Sequence, residues 1–215
     1  MRILLTSVVG SRLHGTAGPE SDLDERSVFA VSLAEALSPF RAARETLWAE
    51  GDTDRTGWEL RRFCKLAAHG NPTALETLVG EPTLRTPEGD ALAALLPAFL
   101  SRRCVEAFFG YARNQERKFR EERGERMWKY AATQTRVLFQ LAALLRAGAL
   151  SGTSPPETVD ELKQIRAGRR TEAEVMARVF ALEEECRRLA LDPPLPAEPD
   201  LARIEAFVTQ TYRGL

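Results

Sequence analysis

Cysteine and histidine are scarce in this sequence. Only Cys64, Cys104 and Cys186 occur among 215 residues. Their number is odd, their spacing is wide, and no ligand pattern surrounds them, which argues against a disulfide framework or a zinc site and for reduced thiols. His14 and His69 are the only histidines. Charge of one sign is also missing: 30 Lys and Arg against 31 Asp and Glu leave a net charge of −1, so no overall field draws a nucleic acid or an anionic membrane. No apolar run approaches the ~20 residues that span a bilayer. The opening Met1 to Gly10 is apolar but too short for a secretion signal with its cleavage site. No membrane partner and a cytoplasmic setting are expected.

What is present fits a soluble globular protein of one large domain or two small ones, with 44% apolar and 28% charged residues. Residues 3–9 read as a buried strand ending at Gly10-Ser11. A turn rich in Gly, Pro and Ser, Gly15 to Ser21, leads to a second strand over 22–31. A short helix at Leu33 to Leu37 and weaker strands at 45–49 and 54–58 follow. From Glu59 the spacing becomes helical: Leu60, Phe63, Cys64 and Ala67 share a face, and Gly70 stops it. Asn71-Pro72 starts another helix, because asparagine caps well and proline suits the first helical position. Beyond residue 88 only helices are expected, over 90–100, 102–120, 127–147, 157–167, 172–191 and 201–212. The expected fold is α+β: a small mixed β-sheet with flanking helices in residues 1–100, then an all-helical domain over 101–215.

The chemistry concentrates in Gly10-Ser11-Arg12-Leu13-His14-Gly15 and Ser21-Asp22-Leu23-Asp24. A strand that ends in Gly-Ser and turns into a helix aims free backbone N–H groups outward, where they attract phosphate. Gly10 permits close approach and Ser11 adds a hydroxyl; Arg12 and Ser21 flank the same loop. Asp22 and Asp24 stand at i and i+2 at the start of a strand, so their carboxylates share a face. Two hard oxygen ligands beside a phosphate cradle suit Mg²⁺ on a triphosphate, with two ions in a two-metal displacement and Mn²⁺ as an alternative. The structural alternative for Asp22 alone is an ordinary turn aspartate.

This string resembles the signature of DNA polymerase beta-like nucleotidyltransferases: Gly-Ser, a spacer, then Asp-x-Asp. Further on, Gly57-Trp58-Glu59-Leu60-Arg61-Arg62, Gly70-Asn71-Pro72 and Leu75-Glu76 are similar to the predicted nucleotidyltransferases of an RNA repair pathway. Gly110-Tyr111-Ala112 with Gln115, Lys129 with Arg136, and Leu162, Ile165-Arg166 and Gly168 add to the likeness. It departs at Glu59, where the family usually has aspartate, and at Thr133, where it often has histidine. The resemblance implies transfer of a nucleoside monophosphate from a nucleoside triphosphate to a hydroxyl acceptor, an RNA end among the candidates, with release of pyrophosphate. Alternatives are a degenerate nucleotide- or RNA-binding module and a protein-modifying transferase of toxin–antitoxin type.

Glu59 stands near the place the superfamily uses for its third acid, as a metal ligand or general base, with Asp54 as runner-up. Lys129 and Arg136, seven residues apart, share one helix face and could clamp a triphosphate, with Arg166 joining them. Arg113 to Arg126 is densely basic but interleaved with Glu116, Glu121, Glu122 and Glu125. A mixed solvated surface is the plainer reading there. His14 reads as a contact within the motif loop and His69 as a helix C-terminal residue; neither is given a catalytic role.

Overall fold

The computed structural model describes residues 1–18, 21–40, 44–49 and 53–214, with the backbone alone at 49, 53 and 54. Five strands form one mixed sheet in the order β3-β4-β2-β1-β5. β1 (Arg2–Val8) and β2 (Leu23–Ala30) pair antiparallel, and β2 pairs in parallel with β4 (Thr53–Glu59). β3 (Thr46–Ala49) closes one edge against β4, and β5 (Glu81–Arg85) closes the other against β1.

β5 is a strand that hydrophobic patterning does not reveal. All five of its residues are exposed, so it carries no apolar alternation. Pro82 lacks an N–H and is tolerated only because this is an edge. The helix expected over 90–100 is two: α5 (Pro87–Ala94) and α6 (Leu96–Phe99). Pro97 explains the break, since its ring clashes with the preceding turn and it cannot donate.

The other helices follow their local signals. α1 (Gly10–Leu13) and α2 (Leu33–Ala36) are single turns. α3 (Leu60–Ala68) buries Leu60, Phe63, Cys64 and Ala67, as its spacing predicts, and the Glu59 carboxylate caps it by accepting from the N–H groups of Arg61 and Arg62. α4 (Pro72–Val79) is capped by Asn71, whose side chain accepts from Thr73 and Ala74. α7 (Arg103–Glu121) and α8 (Glu125–Ala147) form the main helical pair, and α9 (Pro156–Arg166) and α10 (Glu172–Leu189) pack on α8. A capping box between Thr171 and Glu174 opens α10. α11 (Leu201–Arg213) returns to the α/β half and packs on α3 and α6.

One continuous core joins the two halves. Phe29 of β2, Phe63 of α3, Phe99 of α6 and Phe108 of α7 are fully buried in it, and Phe63 meets Phe99 edge-on at 6.4 Å. The three cysteines are buried and unpaired. Burial, then the neighbouring Glu59 charge, pushes the Cys64 thiol up to about 12, so it stays protonated and inert. Among the described residues no helix is long and apolar enough to cross a membrane.

Candidate functional site

The sheet and the helical half meet at a cleft lined by Gly10, Ser11, Asp22 and Asp24 on one side. The backbone N–H of Val9 donates to the Asp24 carbonyl at 3.0 Å, which ties the start of the motif loop to β2. Gly10 then takes φ +66, and a Cβ there would collide with the Asp24 carboxylate. Position 10 is glycine for two reasons: a left-handed backbone and the absence of room. Gly10→Ala is therefore expected to lower stability by about 1–2 kcal/mol, a fall in Tm of roughly 2–8 °C by thermal denaturation. An unchanged Tm would show that neither constraint operates.

The opposite wall comes from the helices. Lys129, Ala132, Thr133 and Arg136 of α8 line the cleft, spaced at i, i+3, i+4 and i+7 as one helix face requires. Arg166, the last residue of α9, and Tyr111 of α7 complete it. At about 200 Å³ the cleft is smaller than the roughly 300–1,000 Å³ that houses a whole small-molecule ligand. It has room for a chain of phosphates rather than an entire nucleotide.

Arg26, Glu76 and Arg136 also line the cleft, and with His14 they form a largely buried ionic cluster in its wall. The Glu76 carboxylate accepts from Arg136 at 3.0 Å and from Arg26 at 2.7 Å, and its Oε1 also meets His14 Nε2. Arg136 further donates to Gln140 at 3.0 Å and contacts His14 Nε2. Burial alone would raise the Glu76 pKa, but the two guanidinium groups and His14 hold it well below the usual carboxylate range. Burial, then the Arg136 charge, lowers the His14 pKa, so the ring is neutral at neutral pH. Sequence reasoning quoted Glu76 within the Leu-Glu pair but gave it no role. The available signal was that it is the single charge on α4, Pro-Thr-Ala-Leu-Glu-Thr-Leu-Val, a helix whose neighbouring residues are nearly all buried.

The residues singled out from the sequence divide into two sets. Gly10, Ser11, Asp22, Asp24, Lys129, Arg136 and Arg166 converge on the cleft. Asp22 precedes β2 rather than standing within it. Arg12 is not in the cleft lining; it donates to the Ser21 carbonyl at 3.1 Å and braces the loop. The Ser21 hydroxyl accepts from the Gly18 N–H at 2.9 Å and meets Arg166 at 3.5 Å.

Glu59 is not brought to the cleft. Its register partner is Phe29, five positions beyond Asp24 along β2, about 16 Å at strand rise and, at an odd separation, on the opposite face. Its oxygens cap α3, pair with Arg61 at 3.4 Å and accept from the Tyr212 hydroxyl. Asp54 is the register partner of Asp24 on the adjacent strand; its side chain lies outside the described residues. Among the described residues no three His, Cys, Asp or Glu side chains gather as a metal cluster. Of the three carboxylates lining the cleft, Glu76 is engaged by Arg26, Arg136 and His14; Asp22 and Asp24, beside the Gly10 turn, are the pair whose chemistry suits a Mg²⁺ ion shared with a phosphate.

Over 92 residues the chain is 32% identical to an uncharacterized 38.9 kDa protein of Enterobacteria phage T4, a match covering 39% of this chain. It spans 27% of the length of that relative. A nucleotidyltransferase-like protein from Exiguobacterium sibiricum aligns with all of this chain and 75% of its own at 10% identity, with a TM-score of 0.31. The model of the RNA repair pathway DNA polymerase beta family matches residues 1–208, and with nearly the whole chain matched, the protein belongs to that family.

Proposed function

We propose that this protein is a Mg²⁺-dependent nucleotidyltransferase that moves a nucleoside monophosphate from a nucleoside triphosphate to a hydroxyl acceptor, an RNA end by family, and releases pyrophosphate. The observation that carries this reading is the convergence of Asp22 and Asp24, the Gly10-Ser11 turn and the cations Lys129, Arg136 and Arg166 on one cleft. The turn receives phosphate oxygens on backbone N–H groups and the Ser11 hydroxyl. Asp22 and Asp24 would hold Mg²⁺, as one ion or two; bound there, it supplies positive charge that activates the hydroxyl and stabilises departing pyrophosphate. Lys129, Arg136 and Arg166 face the position where charge accumulates as the α–β phosphoanhydride bond breaks and the acceptor oxygen bonds to the α-phosphorus.

The acceptor hydroxyl must also lose its proton. We assign that role to Asp54, the register partner of Asp24, rather than to Glu59, whose oxygens are engaged in capping α3 and in the bond from Tyr212. Asp54→Asn is expected to lower the single-turnover rate by roughly 10²-fold or more. Glu59→Gln should leave the rate within a few-fold of wild type and lower Tm instead. The reverse pattern would return the third acid to Glu59.

The test of the reaction is incubation of the protein with each α-labelled triphosphate, Mg²⁺ and either RNA or cell protein. Label transferred to RNA ends supports the reading. Label on protein would assign the chain to protein modification, and triphosphate binding without any transfer would make it a binding module.

A further inference from the structure

We propose that the surface where α8 meets α9 is a track for one strand of nucleic acid, leading into the cleft. The transfer reading enters only in saying what happens at the strand's end. Arg166 stands where three hollows meet: the cleft and a depression on either side of it. One depression runs between the motif loop at Thr16 to Gly18 and the end of α9, with Lys163 and Arg169 at its rim. The other is bordered by Arg126, Trp128 and Lys129 from the first turns of α8, and Lys129 also lines the cleft. Five cations thus mark one continuous path. Asp160 and Glu125 are the carboxylates lining the two depressions.

Several cations near these are paired. Arg117 and Arg120 on α7 pair with Glu121 and Glu116, and Arg170 and Arg178 pair with Glu174 and Glu161. Within the dense basic stretch of the sequence, Arg117 and Arg120 are thus neutralised by neighbouring glutamates. Among the described residues none of Arg126, Lys129, Lys163, Arg166 and Arg169 has a carboxylate within ion-pair distance. In a chain of net charge −1, five cations along one path with no carboxylate partner among the described residues are a local concentration, and a triphosphate confined to the cleft does not reach those beyond it.

Trp128 narrows the ligand class. Gly168, at φ +65, lies against this indole so closely that a Cβ would approach its Nε1 to 2.9 Å. The ring is half-buried, with Phe119 at 5.9 Å on the core side, and with no side chain at 168 its remaining surface borders the depression. An aromatic ring set among cations holds a single strand by stacking a base while the phosphates meet the charges, without reading sequence.

The test is fluorescence anisotropy of a labelled mixed-sequence RNA of about 12 nucleotides, within the range of single-strand sites, without triphosphate or metal. The variant combines Arg126→Glu, Lys163→Glu and Arg169→Glu, all outside the cleft. We expect at least tenfold weaker binding and a slope of log K against log salt shallower by about two, from roughly 0.7 per lost phosphate contact. Binding of a fluorescent triphosphate should be unchanged. If charge reversal prevents folding, the corresponding triple glutamine variant gives the same result with a smaller shift. Equal RNA affinity in wild type and variant overturns the proposal, as does concurrent loss of triphosphate binding. Polyglutamate competing as well as RNA would overturn it too and assign the face to an acidic protein. Because no chemistry is measured, an enzyme that binds RNA but transfers nothing defeats the transfer reading alone.

Discussion

Replacing Asp22 and Asp24 together with alanine is expected to reduce magnesium-dependent pyrophosphate release by roughly 10³-fold or more, given that loss of a single catalytic electrostatic contact commonly costs 10²–10³. The reason lies in the arrangement of the cleft, where these carboxylates face Lys129, Arg136 and Arg166. Without them the cations still attract a triphosphate, but nothing on the opposite wall holds the metal. Triphosphate binding measured without metal should therefore persist, and far-UV circular dichroism should match wild type, since Asp22 is exposed and precedes β2. Release that continues undiminished in the double variant would end the proposed mechanism.

The second large effect is on stability. Glu76→Gln should cost about 3–5 kcal/mol, the usual penalty for breaking a buried ion pair, and lower Tm by roughly 10 °C. Glu76 is 5% exposed and is shared by Arg26, Arg136 and His14. Neutralising it leaves two guanidinium groups facing each other with no carboxylate between them. The pH dependence carries the same signature. A carboxylate whose folded pKa is depressed contributes stability that is present above its ordinary value, near 4.5. That stability fades as pH falls from there toward the lower folded value. His14, also depressed, makes the unfolded chain take up a proton that the folded chain refuses, so stability begins to fall below about 6.5. Wild type should thus lose stability in two stages on acidification. Glu76→Gln should lack the lower stage and keep the upper one, because burial and the Arg136 charge, the two largest influences on His14, both oppose its protonation and outweigh the hydrogen bond with the Gly152 backbone. A variant as stable as wild type, with an unaltered acid profile, would show that the cluster contributes nothing.

The cleft's floor was readable because its information is local. Gly10-Ser11 and Asp22 to Asp24 lie within fifteen residues of each other, and a strand, a turn and a strand suffice to bring them together. Lys129 and Arg136 were readable for a similar reason, since one helix fixes their common face. What stayed hidden depends on distant pairing. Glu76 meets His14 and Arg136 across separations of 62 and 60 residues, and nothing near Glu76 in the chain names its partners. Glu59 sits at a strand-to-helix junction, where a glutamate reads equally as a ligand or a cap. The parallel register that pairs it with Phe29 and pairs Asp54 with Asp24 is a property of the sheet. β5 was missed because an exposed edge strand with a proline has no pattern to see.

The ion cluster in the cleft wall also divides the cleft's cations by how freely they can move. Arg136 is held by Glu76 and Gln140 and cannot advance toward a ligand without giving up those bonds. Among the described residues the Arg166 side chain has one hydrogen-bond partner, the Ser21 hydroxyl at 3.5 Å, while α9 itself is anchored by the buried Leu162 and Ile165. The cleft therefore sets one cation locked by its partners beside another whose side chain is free to follow what it binds.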